Sequence, residues 1–294
     1  MNIGKLRPSL LLPTFILFSL AFTLPSDVDY TAWLAERPAQ SISFDGEEAC
    51  RSDNSAFEAG EEVVYKLYYN WNFIWLPAGE VVFQVRELEK EYHISAKGRT
   101  YTSYEWFFKV RDHYEVYVDK NTLLPSVSIR NVHEGGYHLY DKITYDQDNY
   151  KTHSLRGKTK EKAVLRSFDV DNCMHDILSI IYYVRNIDFD TYEAGQRFPV
   201  KIFMDKEVWS LQVKYEGKDG RKKIKGKGRF ETIKLSPELI VGGIFKEDAK
   251  MNVWVSDDAN RMPILIESPV SVGSVKAVLK SYHGLRHDLS SKIK

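Results

Sequence analysis

The sequence contains little cysteine and has no excess of charge of either sign. Cys50 and Cys173 are its only cysteines, which excludes a zinc site made of four thiolates. The 41 basic and 41 acidic side chains cancel to a formal net charge of zero. Because nonspecific binding to nucleic acid depends on excess positive charge, we do not expect a nucleic-acid partner.

The sequence alone does not decide whether the two thiols form a bond. Cys50 lies in a polar N-terminal stretch, and Cys173 comes directly before residues with helical spacing. An oxidising compartment would permit one disulfide between them. One disulfide and two free thiols are therefore both compatible with the sequence.

Motifs of several enzyme classes are also missing. No Gly-x-Ser-x-Gly elbow is present, and the glycine pair at 242–243 has neither the lysine nor the spacing of a phosphate-binding loop. His175 and Asp176 suggest a hydrolase dyad, but the helix dipole explains an aspartate at the start of a helix. Asp257 and Asp258 suggest a glycosidase pair, but they lie in a predicted turn, where aspartate is common. We assign no catalytic residue and no cofactor.

The eight histidines do not have the spacing of a metal site, which needs three or four ligands. His133 and His138 converge only if the glycines at 135–136 form a turn between them. His283 and His287 lie at the start of a polar tail. We therefore predict no bound metal.

Long hydrophobic runs are absent after the N-terminus. The run at 10–24 follows two basic residues and has ~15 residues, which is short for a membrane-spanning helix of about 20. Ser19 and Ala21 are small and fit the positions before a cleavage site. We predict a signal peptide at 1–21, with a retained membrane anchor as the alternative. We therefore predict a mature chain without a transmembrane span that is exported to the periplasm.

Aromatic content and alternation predict a fold made mostly of β-strands. Aromatic residues make up 13% of the chain, and they favour half-buried, pleated surfaces. From Glu61 onward, Val63, Tyr65 and Leu67 alternate with more polar residues, which is the period of a strand. About twelve such runs are separated by Gly, Pro, Asn and Asp. The predicted turns lie at 77–79, 120–122, 135–136, 217–220 and 257–260.

One segment has the period of a helix instead. Met174, Leu178 and Ile181 recur at helical spacing within 173–186. Asp171 or Asn172 is the predicted N-cap. We predict one helix here, in the linker between the two halves of the chain.

The two halves of the chain carry similar features in the same order. The order is Glu-Ala-Gly, two strands, a strand with Lys-Gly-Arg, Phe-Lys, a strand that ends in aspartate, a turn, proline, a strand, glycine and a last strand. We predict a duplication in which two sets of antiparallel strands pack together as a barrel or a two-sheet sandwich, because a lone half would leave its apolar face in water. The predicted boundaries are an N-terminal arm at 22–56, one β-rich domain at 57–283 with repeats at 57–146 and 192–283, and a polar tail at 284–294.

Short motifs follow one another along most of the chain: Phe57-x-x-Gly60-Glu61, Gly79, Phe107-Phe108 before Val110-x-Asp112, Asp119 to Pro125, Tyr183-Val184-Arg185, Val253-Trp254-Val255, Asp258 to Pro263, and Gly273-Ser274. This order resembles the DUF3108 family of exported bacterial proteins of unknown function, over about 57–283. The resemblance implies export and brings no catalytic residues. The Leu-Pro and Met-Pro turns are similar, to a lesser degree, to half-barrel carriers that move lipoproteins across the periplasm.

The segment 71–76, Trp-Asn-Phe-Ile-Trp-Leu, is the most unusual one in the sequence. It lies between two predicted strands, and the second half has Asp205 and Lys206 in its place. Apolar loops need cover, so the segment is either a plug over the end of a barrel or a lip that meets a ligand. We predict Trp71, Phe73 and Trp75 as the ligand-binding residues.

These observations favour an exported cell-envelope protein that binds an apolar or amphipathic ligand, such as a lipid, without catalysis. Two alternatives stay open. The first is a protein–protein interaction or assembly factor in the periplasm, whose partner is an envelope protein. The second is a hydrolase with an unrecognised site.

Overall fold

The structure, a computed structural model, describes residues 50, 52–71, 74–106, 108–238, 250–269 and 273–293. The predicted signal peptide and most of the predicted N-terminal arm lie outside these residues. The described part of the chain is mostly β, with 15 strands in one sheet and every strand pair antiparallel. The predicted fold class is confirmed in this coarser form.

The first eight strands form a meander, in which each strand pairs with the next. They are β1 (Glu62–Trp71), β2 (Ile74–Glu87), β3 (Glu91–Thr100), β4 (Arg111–Asp119), β5 (Pro125–Glu134), β6 (Tyr137–Asp146), β7 (Lys151–Gly157) and β8 (Val164–Asp169).

The next six strands form a second meander. They are β9 (Arg197–Met204), β10 (Glu207–Ile224), β11 (Gly228–Pro237), β12 (Asn252–Ser256), β13 (Pro263–Pro269) and β14 (Ser274–His283), and the short β15 (Lys292–Ile293) pairs with β11. The two meanders join where β1 pairs with β14, with Lys66 opposite Val278.

The sheet differs from the predicted barrel or sandwich in two ways. It is a single open sheet whose end strands are β8 and β9, so no strand ladder closes it within the described residues. It also has 15 strands, whereas the sequence predicts about twelve. Part of the difference is that β7 and β8 lie in the predicted linker between the two repeats. Short polar strands such as β8, which is almost wholly exposed, carry no alternation that a sequence pattern can detect.

Side chains hold the two ends of the sheet together. Asp205, in the turn between β9 and β10, accepts from Arg130 on β5 at 2.8 Å and lies 2.6 Å from Arg156 on β7. Both arginines also contact the buried carboxylate of Asp141 at 2.7 Å. The ring of Phe203 packs against neighbouring apolar side chains from β6 and the segment after β8. The sheet is therefore curled so that its ends meet without sharing backbone hydrogen bonds.

Two predicted turns are bulges inside strands. Leu67 pairs with Gly79 and Tyr68 pairs with Pro77, so 77–79 inserts an extra residue into β2. Residues 217–220 lie within the continuous β10, where the register shifts twice and Gly217 has a φ of 101°. Glycine favours both turns and bulges because it tolerates positive φ, so the two are alike in sequence. The other three predicted turns are present.

The predicted helix is much shorter than its apolar pattern. The helix α1 covers only Ser179–Val184. His175 instead forms a parallel bridge with Ile202 of β9. Asp176 accepts from the backbone N–H of Ser179 at 2.7 Å, and the Ser179 hydroxyl accepts from that of Asp176 at 2.9 Å. This reciprocal pair starts the helix later than the predicted cap at Asp171 or Asn172.

The apolar core lies on the inner face of the curled sheet, and α1 lies in it. Leu178 and Tyr182 belong to a cluster with the inner side chains of β1 to β4 and β14. Ile180 and Val184 pack against a second cluster formed by β9 to β12. The helix therefore joins the inner faces of both meanders.

Candidate functional site

An apolar cavity of about 260 Å³ lies beside α1 on the inner face of the sheet. Its walls come from β1 to β4, from β9 to β14 and from the helix. Apolar residues that represent these walls are Val81, Phe83, Ile181, Leu211, Val253 and Ala277.

Strand alternation and small side chains create this cavity. Val63, Tyr65 and Leu67 point inward together because alternate residues of a strand share a face. Ala96 and Gly98 on β3 lie on the same inner face and fill less space than a leucine or phenylalanine. The cavity is thus a consequence of small residues in inward positions.

One charged pair closes the cavity wall at the end of α1. Arg185 donates to both carboxylate oxygens of Glu61, at 2.6 and 2.7 Å. It also donates to the backbone carbonyls of Asn260 at 3.0 Å and Ala56 at 3.2 Å. The guanidinium carbon of Arg185 is 5.6 Å from the ring centre of Phe57 and 5.1 Å from that of Tyr182. These contacts give Arg185 a structural role.

A second polar feature is a pair of carboxyl groups, of which one lines the cavity and the other lies behind it. Asp112 on β4 lines the cavity, and Glu134 at the end of β5 is hydrogen-bonded to it. Both side chains are buried. Burial first, and then the charge of Asp112, raise the pKa of Glu134 to about 9. Burial and the neighbouring carboxylate thus both favour the protonated form of Glu134.

The suggested hydrolase residues lie in a closed environment. His175 Nδ1 is 3.1 Å from Ser179 Oγ, and Asp176 bonds the same serine. His175, Asp176 and Ser179 are 3%, 4% and 0% exposed. Burial lowers the pKa of His175 to about 3, so the imidazole is neutral. In this arrangement, the three residues fix the start of α1.

The histidine pairs do not form a metal centre in the described chain. The rings of His133 and His138 meet edge-on at 4.8 Å across the hairpin at 135–136. His287 contacts the backbone carbonyl of Ser55 at 2.7 Å. No group of three metal-ligating side chains occurs among the residues that the structure describes.

Of the three sequence-predicted ligand residues, the structure describes the side chain of Trp75 alone, and Trp75 is not among the residues that line the cavity. The segment 71–76, called the hairpin tip below, links β1 to β2, and the backbone of Trp71 pairs with that of Ile74. The side chain of Trp71 and all of Phe73 lie outside the described residues. The ring of Trp75 is 4.0 Å from Lys276 Nζ. Because Lys276 precedes the inward-facing Ala277 on β14, Trp75 lies on the outer face of the sheet. Whether these residues bind a ligand stays a prediction.

Sequence reasoning missed the carboxyl pair, although a signal for it is present. Asp112 is in phase with the buried Tyr114 and Val116, and Glu134 is in phase with the buried Val132. An acidic residue on the apolar phase of a strand indicates a buried charge, which proteins rarely keep without a reason.

The comparisons with solved structures give low similarity. A β-barrel-like protein of the domain of unknown function DUF1849 from Brucella abortus is 9% identical, with 78% of this chain and 98% of that chain covered and a TM-score of 0.49. A candidate lipoprotein from Parabacteroides distasonis is 13% identical, with 79% and 99% covered and a TM-score of 0.29. A candidate exported protein with a YmcC-like fold from Bacteroides fragilis is 9% identical, with 79% and 99% covered and a TM-score of 0.30.

Of the two sequence comparisons, one gives a match. No curated protein matches the chain. Within the described residues, no helix has the length and apolar character needed to span a membrane. Residues 64–280 match the family described as a protein of unknown function, DUF3108. That range covers most of the chain, including all of β2 to β13, so the chain belongs to the DUF3108 family.

Proposed function

We propose that this chain is an exported cell-envelope protein that binds an apolar or amphipathic ligand in the cavity beside α1, without catalysing a reaction. The observation that carries the proposal is the apolar cavity of about 260 Å³. An apolar cavity of about 150 Å³ can stay dry and bind benzene, and sites for drug-sized ligands begin near 300 Å³. The cavity therefore suits a small apolar molecule or a single short alkyl chain.

Two features support export to an oxidising compartment such as the periplasm. The first is the leader at 1–21, which has the composition of a signal peptide. The second is the disulfide between Cys50 and Cys173, whose Cα atoms are 5.3 Å apart. Disulfides persist in exported proteins and are rare in a reducing cytoplasm.

We also infer that the two meanders descend from one duplicated unit, with repeats at 57–146 and 192–283. In support, β1 to β6 and β9 to β14 are six-strand meanders with strands in the same order. Lys66 lies on the first strand of one set and Lys201 on the first strand of the other. Both sets line the cavity, so the ligand would lie between the two repeats.

Filling the cavity should abolish binding. Ala277 faces the cavity between Leu67 and Ile266, so Ala277→Phe places a ring in the space that a ligand would occupy. Lipid extraction followed by mass spectrometry should find a co-purifying apolar molecule in the wild-type protein and little of it in the variant. Overpacking is expected to destabilise the fold by about 1–3 kcal/mol, which thermal unfolding would measure.

The neighbouring residue Val278 gives the matched control, because it lies on the opposite face of β14, paired with Lys66. Val278→Phe adds the same ring outside the cavity and should retain the ligand. If Ala277→Phe retains as much ligand as Val278→Phe, the molecule is bound elsewhere and the cavity is not its site.

The hairpin tip is proposed as a lip that guides an apolar ligand or meets a membrane. Ile74 is 62% exposed and Leu76 is 37% exposed, and both flank Trp75. The double substitution Trp71→Ala and Trp75→Ala should slow the uptake of an apolar fluorescent probe several-fold, because the lip loses its aromatic contacts. Stopped-flow fluorescence measures this rate.

Trp106 supplies the control for this substitution, since it is an exposed tryptophan on another segment. Trp106→Ala should leave the uptake rate unchanged. Equal rates in all three proteins would mean that the hairpin tip takes no part in binding.

A further inference from the structure

Arg261, in the turn between β12 and β13, lines the cavity with few contacts of its own. Its side chain is 18% exposed. Within the described part of the chain, the guanidinium lies 3.6 Å from Asp188 Oδ1 and 6.0 Å from the ring centre of Phe189. A distance of 3.6 Å is too long for a hydrogen bond, so the five N–H donors of Arg261 have no acceptor among those residues. A mostly buried guanidinium of this kind indicates a place for an acceptor from outside the chain.

Asp188 is a weak counter-ion for Arg261. Its side chain is 64% exposed, and water screens an ion pair at such a position. The same oxygen, Oδ1, also accepts from the backbone N–H of Asp190 at 3.2 Å. The positive charge of Arg261 is therefore only partly balanced.

The other two arginines of the cavity wall do not share this arrangement. The contacts of Arg185 with Glu61 and with two backbone carbonyls are all within hydrogen-bond distance, so its donors are in use. Arg99 is 66% exposed, so water can solvate its guanidinium, which lies 4.0 Å from Glu80. Arg261 is thus the arginine of the described wall that combines burial with unused donors.

The two carboxylates of the cavity wall have partners of their own. Glu238 accepts from Arg197 at 2.9 Å and from the backbone N–H of Gln212 at 3.0 Å. Asp112 shares a hydrogen bond with Glu134. Because these carboxylates are engaged elsewhere, they do not occupy the donors of Arg261.

The fold does not require an arginine at position 261. The backbone of Arg261 has a φ of 43°, in the left-handed region. The turn at 119–125 has aspartate and proline at the same spacing, and Leu123 there has a φ of 57° and is fully buried. The left-handed residue is therefore a property of this kind of turn, and its side chain can be apolar. A charged residue in the second turn then indicates a role in the cavity.

We propose that the ligand is an anionic amphiphile whose carboxylate or phosphate head group binds Arg261 and whose apolar chain lies in the cavity. This inference rests on the proposed binding function and adds the class of ligand to it. Guanidinium suits both head groups, because two of its N–H groups can donate in parallel to two oxygens of one anion. The head group would supply the acceptors that the chain itself does not.

Four probes with the same eight-carbon chain and different head groups test the proposal: octanoate, octyl phosphate, 1-octanol and octylamine. Isothermal titration calorimetry at neutral pH should give the wild-type protein an affinity for at least one of the two anions that is about tenfold higher than for 1-octanol. Octylamine should bind most weakly. The tighter of the two anions identifies the head group as a carboxylate or a phosphate.

Arg261→Leu places in this turn the residue that the turn at 119–125 already holds, so the variant should fold. It should reduce the preference for the anion over 1-octanol by about tenfold and change the affinity for 1-octanol about twofold at most. Arg261→Lys keeps the charge and loses the parallel donors, so its preference should be intermediate. Circular dichroism and thermal unfolding check that both variants are folded.

Two further variants make the test specific. Asp188→Asn keeps an oxygen for the N–H of Asp190 and removes the competing charge, so it should raise the affinity for the anion about twofold. Arg229→Leu is the matched control, because Arg229 is an exposed arginine on β11 that does not line the cavity. It should leave the preference unchanged.

The outcomes separate this inference from the function on which it rests. If 1-octanol or octylamine binds wild-type protein as tightly as both anions, or if Arg261→Leu keeps the preference, the proposed head group is wrong while the cavity proposal stands. If none of the four probes binds wild-type protein, both proposals fail. Should Arg261→Leu not fold, a preference that is unchanged in both Arg261→Lys and Asp188→Asn would equally overturn the inference.

Discussion

Arg185→Ala is expected to lower the free energy of unfolding by about 3–5 kcal/mol. The side chain of Arg185 is buried, and so is its partner Glu61, which is 1% exposed. Removing the guanidinium leaves a charged carboxylate in the interior without a counter-ion. It also leaves the carbonyls of Ala56 and Asn260 without donors. Because domains are stable by about 5–15 kcal/mol in total, this loss is a large fraction of the fold's stability.

The electrostatic balance at Arg185 explains the size of this effect. Burial is the largest single influence on the pKa of Arg185 and lowers it, but the charge and hydrogen bonds of Glu61, with smaller contributions from Tyr182 and Tyr65, together exceed it, so the pKa is raised and the guanidinium stays charged. The pair also joins three distant segments, because Glu61 precedes β1, Arg185 ends α1, and Asn260 lies between β12 and β13. Its loss would loosen the contact between the helix and both meanders.

Urea unfolding followed by tryptophan fluorescence measures the loss. The double variant Glu61→Gln with Arg185→Met should regain part of the stability, because it removes both charges and leaves no unpaired ion. Lys151→Ala breaks an ion pair of 2.7 Å to Asp169 on the surface, and it should leave the unfolding midpoint nearly unchanged because solvent screens that pair. An equal effect of Arg185→Ala and Lys151→Ala would contradict the argument.

The sequence predicts the strands well wherever one face is apolar. Val63, Tyr65 and Leu67 alternate with half-buried residues in β1 as expected, and the same holds for most strands. Alternation is local, so it identifies a strand without its partner. The pairing of β1 with β14 joins residues more than 200 positions apart, and no local pattern encodes it. For that reason, the open and curled sheet was not predictable from the sequence.

Local sequence patterns gave wrong predictions where the same residue types occur in two kinds of structure. The glycines at 217–220 indicate a turn, but here they permit bulges in the middle of β10, because the long strand is held on both sides by β9 and β11. Within 173–186, the helical spacing of the apolar residues corresponds to a helix only in the second half, at Ser179–Val184. In its first half, the bond between Cys173 and Cys50 and the bridge of His175 to β9 impose another backbone path.

The candidate site was predicted least well, for a physical reason. A cavity forms where the side chains of its walls are too small to fill the space between them. The walls here come from strands that are far apart in the sequence. The aromatic segment 71–76 attracts attention by its composition, whereas Ala96, Gly98 and Ala277 look ordinary. Asp112, an acidic residue in phase with apolar ones on β4, is a mark of the cavity wall in the sequence itself.

Loss of the disulfide between Cys50 and Cys173 is expected to destabilise the protein by roughly 4–5 kcal/mol in the chain-entropy account, since a loop of about 100 residues gives about 4.7 kcal/mol. The two cysteines are 123 positions apart, so the bond restricts a large part of the unfolded chain. In the folded chain, it attaches the end of the predicted N-terminal arm to the segment before α1. Ser52, two residues further, donates to the carbonyl of Asn121 at 3.3 Å.

Differential scanning calorimetry with and without reductant measures the effect. At about 2–4 °C per kcal/mol for a domain of this size, reduction should lower the Tm by roughly 8–20 °C. The double variant Cys50→Ser with Cys173→Ser should show the lower Tm under both conditions and no response to reductant. A wild-type Tm that does not change on complete reduction, verified by thiol titration, would mean that the bond adds nothing to stability. The contacts of Ser52 and the bridge of His175 to Ile202 would then suffice to hold the arm and the segment before α1 in place.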